Sequence, residues 1–274
     1  MPEGPECRII ADGLTKLLGN KTLVSFEINS KNRYYKKAPD GFVEFAAALP
    51  VKIVCVKSHG KFIWWELSNG WYIWQTLGLS GGWFTVQKAN SGIVITMDGG
   101  LKLYYDDARH FGTLKFISPM SANKETVKKL NTLGPDILGS NKITKLEYMY
   151  RMRKYPCMLV ASILMEQKVM SGIGNYLRSE ILYDAKVNPH TKVGDLTDDQ
   201  LGRLYDSTYT KTISSYKAGG ASIQHYSDIY SVPGKFAFEM QVYGRKKTPD
   251  GLPVKAEKIG KETQTTYWVE NNEK

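Results

Sequence analysis

Gln167-Lys168-Val169-Met170-Ser171-Gly172-Ile173-Gly174-Asn175-Tyr176-Leu177-Arg178-Ser179-Glu180-Ile181-Leu182-Tyr183-Asp184-Ala185 is the stretch on which the reading of this chain turns. Residues 158–167 and 175–185 carry helical spacing, and Gly172 and Gly174 fall in the turn between them. Glycines there let the backbone approach a phosphate, with the amides of a helix N-terminus pointing at it. Asn175 begins the second helix and can add a side-chain donor. Gly-x-Gly alone is equally the signature of an ordinary glycine-capped helix end, so the rest of the chain has to decide.

Around this stretch the helical period continues. Lys145–Arg153 and residues 197–217 read as helices, the second opened by a Thr197…Gln200 capping box. Upstream the pattern switches to strands at 23–28, 51–56, 62–67, 92–97 and 101–105, with turns at Ser68-Asn69-Gly70 and Asp98-Gly99-Gly100. Near the start, Ile9, Ile10, Leu14, Leu17 and Leu18 form one helical stripe, and Pro5 suits a first turn. After Lys235, residues 236–243 and 265–269 read as strands flanking a basic, Pro/Gly-containing middle, which predicts a hairpin. The order is a β domain, a helical domain and a terminal hairpin.

The 274 residues suffice for one large domain or two small ones, and 42% hydrophobic content argues for a folded chain. A net charge of +10 and a pI near 9.3 favour a polyanionic partner, nucleic acid before an acidic membrane surface. Cys7, Cys55 and Cys157 are odd in number, far apart and form no CxxC, which argues against a disulfide framework and a cysteine zinc site. The histidines are scattered, no apolar run is long enough to span a bilayer, and the N-terminus lacks the apolar core of a secretory signal. An intracellular, reducing compartment and no membrane partner are expected.

Pro2-Glu3 carries the candidate chemistry. Removal of Met1 would leave Pro2 as a secondary amine with a pKa of about 8, partly neutral at physiological pH. Attack of such an amine on a sugar C1′ gives an iminium that has no N–H to lose, an electron sink suited to strand cleavage by elimination. Glu3 is placed to act as general acid–base on the sugar ring oxygen or the departing base. Met-Pro-Glu also opens many unrelated chains, so these residues gain meaning only in company.

That company exists. Pro-Glu-Gly-Pro-Glu at residues 2–6, with Lys-Val-Met-Ser-Gly-Ile-Gly-Asn-Tyr at 168–176, resembles the formamidopyrimidine-DNA glycosylase / endonuclease VIII family, the second stretch resembling its helix-two-turn-helix. Further matches follow in order: Gly60-Lys61; Gly78-Leu79-Ser80-Gly81; Asp107-Ala108-Arg109-His110-Phe111-Gly112; Gly219-Gly220-Ala221-Ser222-Ile223; and Gln241-Val242-Tyr243-Gly244-Arg245. The resemblance implies an α+β multidomain fold. A helix plus antiparallel β-sandwich would form the catalytic domain over 1–125, the helix-two-turn-helix domain would span 126–235, and a β-hairpin finger 236–274. It implies Pro2 as Schiff-base nucleophile, Glu3 as proton donor, and Lys61 on the flanking phosphates and assisting elimination. Gly172, Gly174, Asn175 and the neighbouring Lys168 would hold DNA, with Gln264 at the finger. Leu79, Arg109 and Phe111 would fill the gap left by a flipped-out nucleotide. No cofactor is implied.

The chain departs from the family pattern in places. Residues 248–273 contain no cysteine where the finger carries four zinc ligands, which resembles the zincless finger of the endonuclease VIII-like 1 group. Gln264 stands where the family has an arginine that clamps the lesion phosphate, and a neutral amide cannot make that bidentate, charge-assisted contact. Leu79 replaces a methionine of similar volume. A retained Met1 would mask the Pro2 amine.

The function expected on this resemblance is base excision repair: a glycosylase with AP lyase (β/δ-elimination) activity on oxidised bases, chiefly pyrimidines. The partner would be damaged double-stranded DNA, with single-stranded or bubble DNA open, and the protein a monomer. Its compartment would be the nucleus in a eukaryote, otherwise the cytoplasm or a virus. The alternatives are a catalytically weak damaged-DNA or abasic-site binding protein of the same fold, and an unrelated basic RNA- or ribosome-binding protein. The last explains the charge but not Pro2-Glu3 with Lys61.

Overall fold

The computed structural model describes residues 2–140, 142–221, 226–260 and 264–270. Met1, on which the masking of Pro2 depends, and Ser222 and Ile223 of the segment after Gly219-Gly220 lie outside them.

The predicted first helix is α1 (Gly4–Leu18). Of the stripe read from the sequence it buries Ile10, Leu14 and Leu18 against the strands, with Cys7 beside them, while Ile9 and Leu17 are half-buried. Those strands are β1 (Thr22–Ile28), β2 (Val51–His59), β3 (Phe62–Leu67), β4 (Tyr72–Thr76), β5 (Gly82–Phe84), β6 (Ser91–Met97), β7 (Lys102–Asp106) and β8 (Thr113–Ile117). They form an antiparallel ladder in the order β5-β7-β6-β1-β2-β3-β4-β8. The join between β1 and β2 is short, pairing only Thr22 with Lys52 and Leu23 with Val51, and there the ladder folds over. Trp65 of β3 meets Trp83 of β5 with ring centroids 5.3 Å apart, and the Trp83 indole N–H donates to Gln75 of β4 at 2.8 Å. Contacts between strands this distant in the ladder make the expected sandwich, with one core shared by both halves and α1.

Between the domains lies α3 (Ala122–Leu130), following α2 (Phe42–Ala47) inside the β domain. The helical domain contains α4 (Lys145–Arg153), α5 (Val160–Ile163), α6 (Asn175–Asp184) and α7 (Asp198–Lys217), around a second core. The Thr197 capping box is present: Gln200 N–H donates to Thr197 Oγ1 at 3.2 Å, and Thr197 N–H to Gln200 Oε1 at 2.9 Å. No helix among the described residues is long and apolar enough to cross a membrane.

Two sequence expectations need correction. The helix expected over 158–167 is only the four residues of α5, after which the chain tightens into turns. The Gln167 amide group donates to the carbonyls of Met165 and Ile173, so a side chain replaces the helical ladder at this bend. The second concerns 236–243, read as a strand. Here Phe236–Phe238 is a 3-10 turn, and the amides of Gln241, Val242 and Tyr243 all donate to the Glu180 carboxylate at 2.8–3.0 Å. Three consecutive donors converging on one carboxylate cannot alternate along a ladder. The hairpin is instead β9 (Lys255–Lys258) with β10 (Thr265–Trp268), antiparallel from Thr265↔Lys258 to Trp268↔Lys255.

This finger is held by side chains. The Trp268 indole donates to Glu257 at 2.6 Å and its ring meets His190 at 5.3 Å, while Tyr267 packs on Tyr243 at 5.0 Å. With no cysteine or histidine in residues 248–273, the finger does not fit the zinc of its resembled family.

Candidate active site and nucleic-acid interface

The site forms where α1 begins. Three backbones converge there: Gly4 N–H donates to the Gly172 carbonyl at 2.8 Å, and a side chain on Gly172 (φ 95°) would meet the Cα atoms of Gly4 and Gly60 at 3.3 and 3.4 Å. Only glycine suits that conformation and that approach. The β domain is thereby fastened to the turn before α6. Gly60 N–H donating to Asp136 at 2.9 Å and the Arg8 guanidinium donating to the Leu138 carbonyl at 2.7 Å strengthen the same junction.

Glu3 is buried in this junction. Its carboxylate accepts N–H bonds from Gly174 at 2.7 Å, Tyr176 at 2.9 Å and Leu177 at 3.3 Å. The helix-terminal amides that the sequence assigned to a phosphate are thus directed at Glu3. A Cβ on Gly174 would lie 2.3 Å from the Glu3 carboxyl carbon, so this glycine makes room for the acid. Burial pushes the Glu3 carboxyl up to about 7, with neighbouring Glu6 adding to the rise and the Lys61 charge and the amide donors holding it back. Burial outweighs the hydrogen bonds because charging a carboxylate away from water costs more than a few N–H donors return.

Glu6 lies directly behind, equally buried. It accepts the N–H of Glu3 at 2.7 Å, the N–H of Ala221 at 2.8 Å and the hydroxyl of Tyr176 at 3.0 Å, and burial raises its carboxyl as well. Tyr176 in turn lies 2.9 Å from Ser215 of α7. Two buried carboxylates in series keep a proton near neutral pH more readily than either alone.

Beside them is a pocket of about 250 Å³ lined by Pro2, Cys7, Lys61, Gly78, Gln167 and Ser171 among others. Pro2 and Lys61, 59 positions apart, therefore share one cavity next to Glu3. Burial lowers the Lys61 ammonium, opposed by the charge of Glu3, so its proton is easier to give up and recover than that of a solvated lysine. Gln167, quoted in the sequence but given no role there, lines the pocket and accepts the Gly172 N–H at 3.0 Å.

The other candidates form a second group at the surface. Leu79 is half-buried, Arg109 exposed, and Phe111 56% exposed, an unusual setting for a phenylalanine. Their loops interlock: a Cβ on Gly78 would lie 2.6 Å from the carbonyl carbon of Phe111. Asp107, buried and not singled out from the sequence, clasps them together. One of its oxygens accepts the Ser80 hydroxyl at 2.6 Å and the other the Gly112 N–H at 2.7 Å, while Ser80 accepts the Arg109 N–H at 3.0 Å.

Asn175 and Gln264 meet through Arg178, whose guanidinium donates to Asn175 Oδ1 at 2.5 Å and to the Gln264 carbonyl at 3.3 Å. The Gln264 side-chain oxygen is buried and accepts no hydrogen bond among the described residues. Lys168 stands apart from both groups, exposed, 3.7 Å from Glu166 and 5.4 Å from the Tyr155 ring. Of the missed residues, Glu6 had a signal in the repeated Pro-Glu of residues 2–6; Glu180 and Asp107 had none, because Glu180 is met by a distant segment and Asp107 by Ser80 and by its own loop turning back at Gly112.

Comparison with known proteins agrees with this geometry along the whole chain. The formamidopyrimidine-DNA glycosylase N-terminal domain matches residues 1–114, the H2TH domain 133–227 and the C-terminal domain 232–274. A formamidopyrimidine-DNA glycosylase of Pectobacterium carotovorum is 28% identical over 268 residues, covering 95% of this chain and 96% of its own. One of Rickettsia africae is 27% identical over 252 residues, covering 90% and 89%. In fold, the crystal structure of Thermus thermophilus MutM (Fpg) superimposes with a TM-score of 0.85 at 24% identity, covering 98% of this chain and 97% of that one. A mutant Lactococcus lactis Fpg in complex with Fapy-dG-containing DNA gives 0.84 at 24% identity, covering 98% of each. The converging glycine backbones, the buried Glu3 and the ordered run of motifs belong together in one lineage, and the chain is a member of the formamidopyrimidine-DNA glycosylase family, which includes endonuclease VIII.

Proposed function

We propose that the protein is a bifunctional DNA glycosylase and AP lyase that removes oxidised bases from DNA. The observation that carries this reading is Glu3, a carboxyl held near 7 beside a pocket shared by Pro2 and Lys61. An acid with that pKa is protonated often enough at neutral pH to donate, and its conjugate base can recover the proton later.

With Met1 removed, the Pro2 nitrogen attacks C1′ of the damaged nucleotide. Glu3 donates its proton to the ring oxygen or the departing base, the C1′–N bond breaks, and the ring-opened sugar is held as an iminium on Pro2. Loss of a C2′ proton feeds electrons toward the iminium and expels the 3′ phosphate; a second elimination expels the 5′ phosphate, and water releases the sugar remnant. Lys61 assists these proton transfers and contacts the flanking phosphates. Asn175, Gln264 and the exposed Lys168 serve the DNA backbone, while the amides of the turn at Gly172 and Gly174 hold Gln167 and Glu3 in place. Leu79, Arg109 and Phe111 fill the gap once the nucleotide leaves the stack, offsetting a flipping cost of a few kcal/mol.

The zincless finger supports a substrate range centred on oxidised pyrimidines such as thymine glycol, and the names of the relatives add formamidopyrimidines. The protein acts as a monomer on damaged duplex DNA inside the cell, without a cofactor. One observation favours the second reading, a damage-binding protein of low turnover: Gln264 offers no charge at the finger and turns its amide oxygen inward.

Borohydride trapping on duplexes carrying thymine glycol or an abasic site separates the two. A covalent adduct lost when Met1 is retained supports the imine mechanism, and an adduct from thymine glycol adds base excision. Tight, lesion-selective binding without adduct, in protein shown by mass spectrometry to begin at Pro2, would overturn the enzymatic reading.

A further inference from the structure

The loop between β1 and α2, residues 29–41, contains Lys31, Arg33, Lys36 and Lys37 against the single acid Asp40. All four cations are exposed, and none forms an ion pair with a carboxylate among the described residues. Many of the protein's other surface cations are paired, as Lys57 is with Glu66, Arg153 with Asp198 and Lys211 with Asp184. A cluster of like charges left unpaired repels itself and gains by meeting a polyanion.

The loop is also built to hold its shape. Asn29 N–H donates to the Gly92 carbonyl at 3.0 Å, and the Asn29 side-chain amide donates to the Ser91 carbonyl at 3.0 Å. The Tyr34 hydroxyl accepts the N–H of Leu114 at 3.2 Å. Arg33 donates to the carbonyl of His110 at 3.1 Å. His110 has left-handed backbone (φ 56°) and lies between Arg109 and Phe111. The basic loop is therefore pinned to the loop that carries the gap-filling side chains.

We infer that residues 29–41 form a second DNA-contact surface, which grips the phosphate backbone of the strand opposite the lesion through Lys36 and Lys37 with Lys31 and Arg33 beside them. The inference rests on the gap-filling reading of Arg109 and Phe111. The choice of strand follows from position. The Pro2 pocket lies on the β3–β4 side of the ladder, and on the proposed function it receives the damaged nucleotide. The loop starts on the β1–β6 side and runs along the far edge of the ladder, where Leu114 N–H of β8 donates to the Tyr34 hydroxyl and Phe116 N–H to the Asp40 carbonyl. The Arg109–Phe111 segment joins β7 to β8 and lies between the two. A side chain that fills the gap faces the orphaned base, so what lies beyond it, away from the pocket, faces the undamaged strand.

The test is binding of the full chain to a duplex carrying a tetrahydrofuran abasic analogue, measured by anisotropy over a range of salt concentrations. The same analogue in single-stranded DNA is the comparison. Each phosphate contact contributes about 0.9 to the slope of log affinity against log salt on duplex DNA. Replacing Lys36 and Lys37 by Ala should lower the duplex slope by roughly 2 and weaken duplex binding by about tenfold or more at moderate salt. Binding to the single strand should stay unchanged within about twofold, since no opposite strand is present. Lys16→Gln with Lys52→Gln, at ends of α1 and β2 remote from the pocket, should leave both curves in place. An unchanged duplex slope, or an equal loss on single strand and duplex, would overturn the inference. A photocrosslinker attached to Lys36→Cys should label the undamaged strand, and labelling confined to the lesion strand would also overturn it. Failure of the glycosylase reading looks different: the unaltered protein would then show no preference for the abasic duplex over an undamaged one.

Discussion

The buried end of α1 and the finger hairpin are constructed by opposite rules. At the α1 end, Glu3 accepts three amides, Glu6 accepts two amides and a hydroxyl, and glycines remove every side chain that could intrude. In the finger, β9 is the four residues Lys-Ala-Glu-Lys, mostly exposed, and Gln264 keeps a buried oxygen without a donor among the described residues. The difference teaches that the α1 end is fixed by converging hydrogen bonds, whereas the finger is held mainly by aromatic packing. Rigid donors around the reacting group lower a barrier because they need not reorganise. A grip on phosphate can be looser and remain effective, at the cost of sensitivity to salt.

The comparison breaks most visibly at Glu3. Glu3→Gln should lower base excision by about 10²–10⁴-fold, the range for removal of a general acid, while adduct formation at a preformed abasic site is largely kept. Single-turnover kinetics on the two substrates measure this, and an equal loss on both would show that Glu3 serves only to hold the site together. The same residue has a pH signature. Its folded pKa, about 7, lies above the ordinary 4.5, so the folded state holds the proton more tightly than the unfolded chain. That stability is complete below about 4.5 and is lost as pH rises toward 7. Excision should fall above about 7, and Glu3→Gln should flatten the stability change across this window in denaturant titrations.

Gly174→Ala probes the crowding directly. Its Cβ would strike the Glu3 carboxyl group, and overpacking of this kind costs about 1–3 kcal/mol. Chemical denaturation should show that loss, with excision falling further than stability because the acid is displaced.

Asp107→Ala tests whether the surface loops share the rigidity of the α1 end. Without the clasp on Ser80 and Gly112, excision from duplex should drop by about tenfold, one lost hydrogen-bonded network of ~1–3 kcal/mol. Excision of the same lesion from single-stranded DNA, which leaves no gap to fill, should be spared. Equal losses on both substrates would mean that the clasp merely stabilises the fold. The smallest effect is expected in the finger. Gln264→Arg should raise the salt slope of duplex binding by roughly 1 and speed turnover modestly; a variant that changes neither would remove Gln264 from the DNA interface.

The sequence disclosed this contrast unevenly. α1, six of the strands (β1, β2, β3, β6, β7 and β10), α4, α6 and α7 follow from periodicity and turn residues, because each buries one face against a nearby element. Pro2, Glu3, Lys61 and the Gly172–Asn175 turn were readable because their types and order form a motif. β4, β5 and β8 escaped, β5 being only three residues long. β9 carries no strand signal, since Lys-Ala-Glu-Lys owes its conformation to pairing with Thr265–Trp268. Glu180 and Asp107 looked like surface carboxylates. Each gains its role from backbone amides of segments distant in sequence, or from a loop turning back on itself, which no local pattern records. The amides of Gly174 and Tyr176 were credited to phosphate because a buried acid from the other end of the chain was not in view.

The span between Glu3 and its amide donors also has a meaning in time. A ribosome delivers residue 3 at once, but Gly174, Tyr176 and Leu177 emerge only after more than half of the polypeptide has been made. Until then Glu3 has none of the three amide donors that receive it in the folded protein. A chain that ends before residue 174 thus holds Glu3 but none of the amides that receive it, so this junction can close only after the turn before α6 has been made.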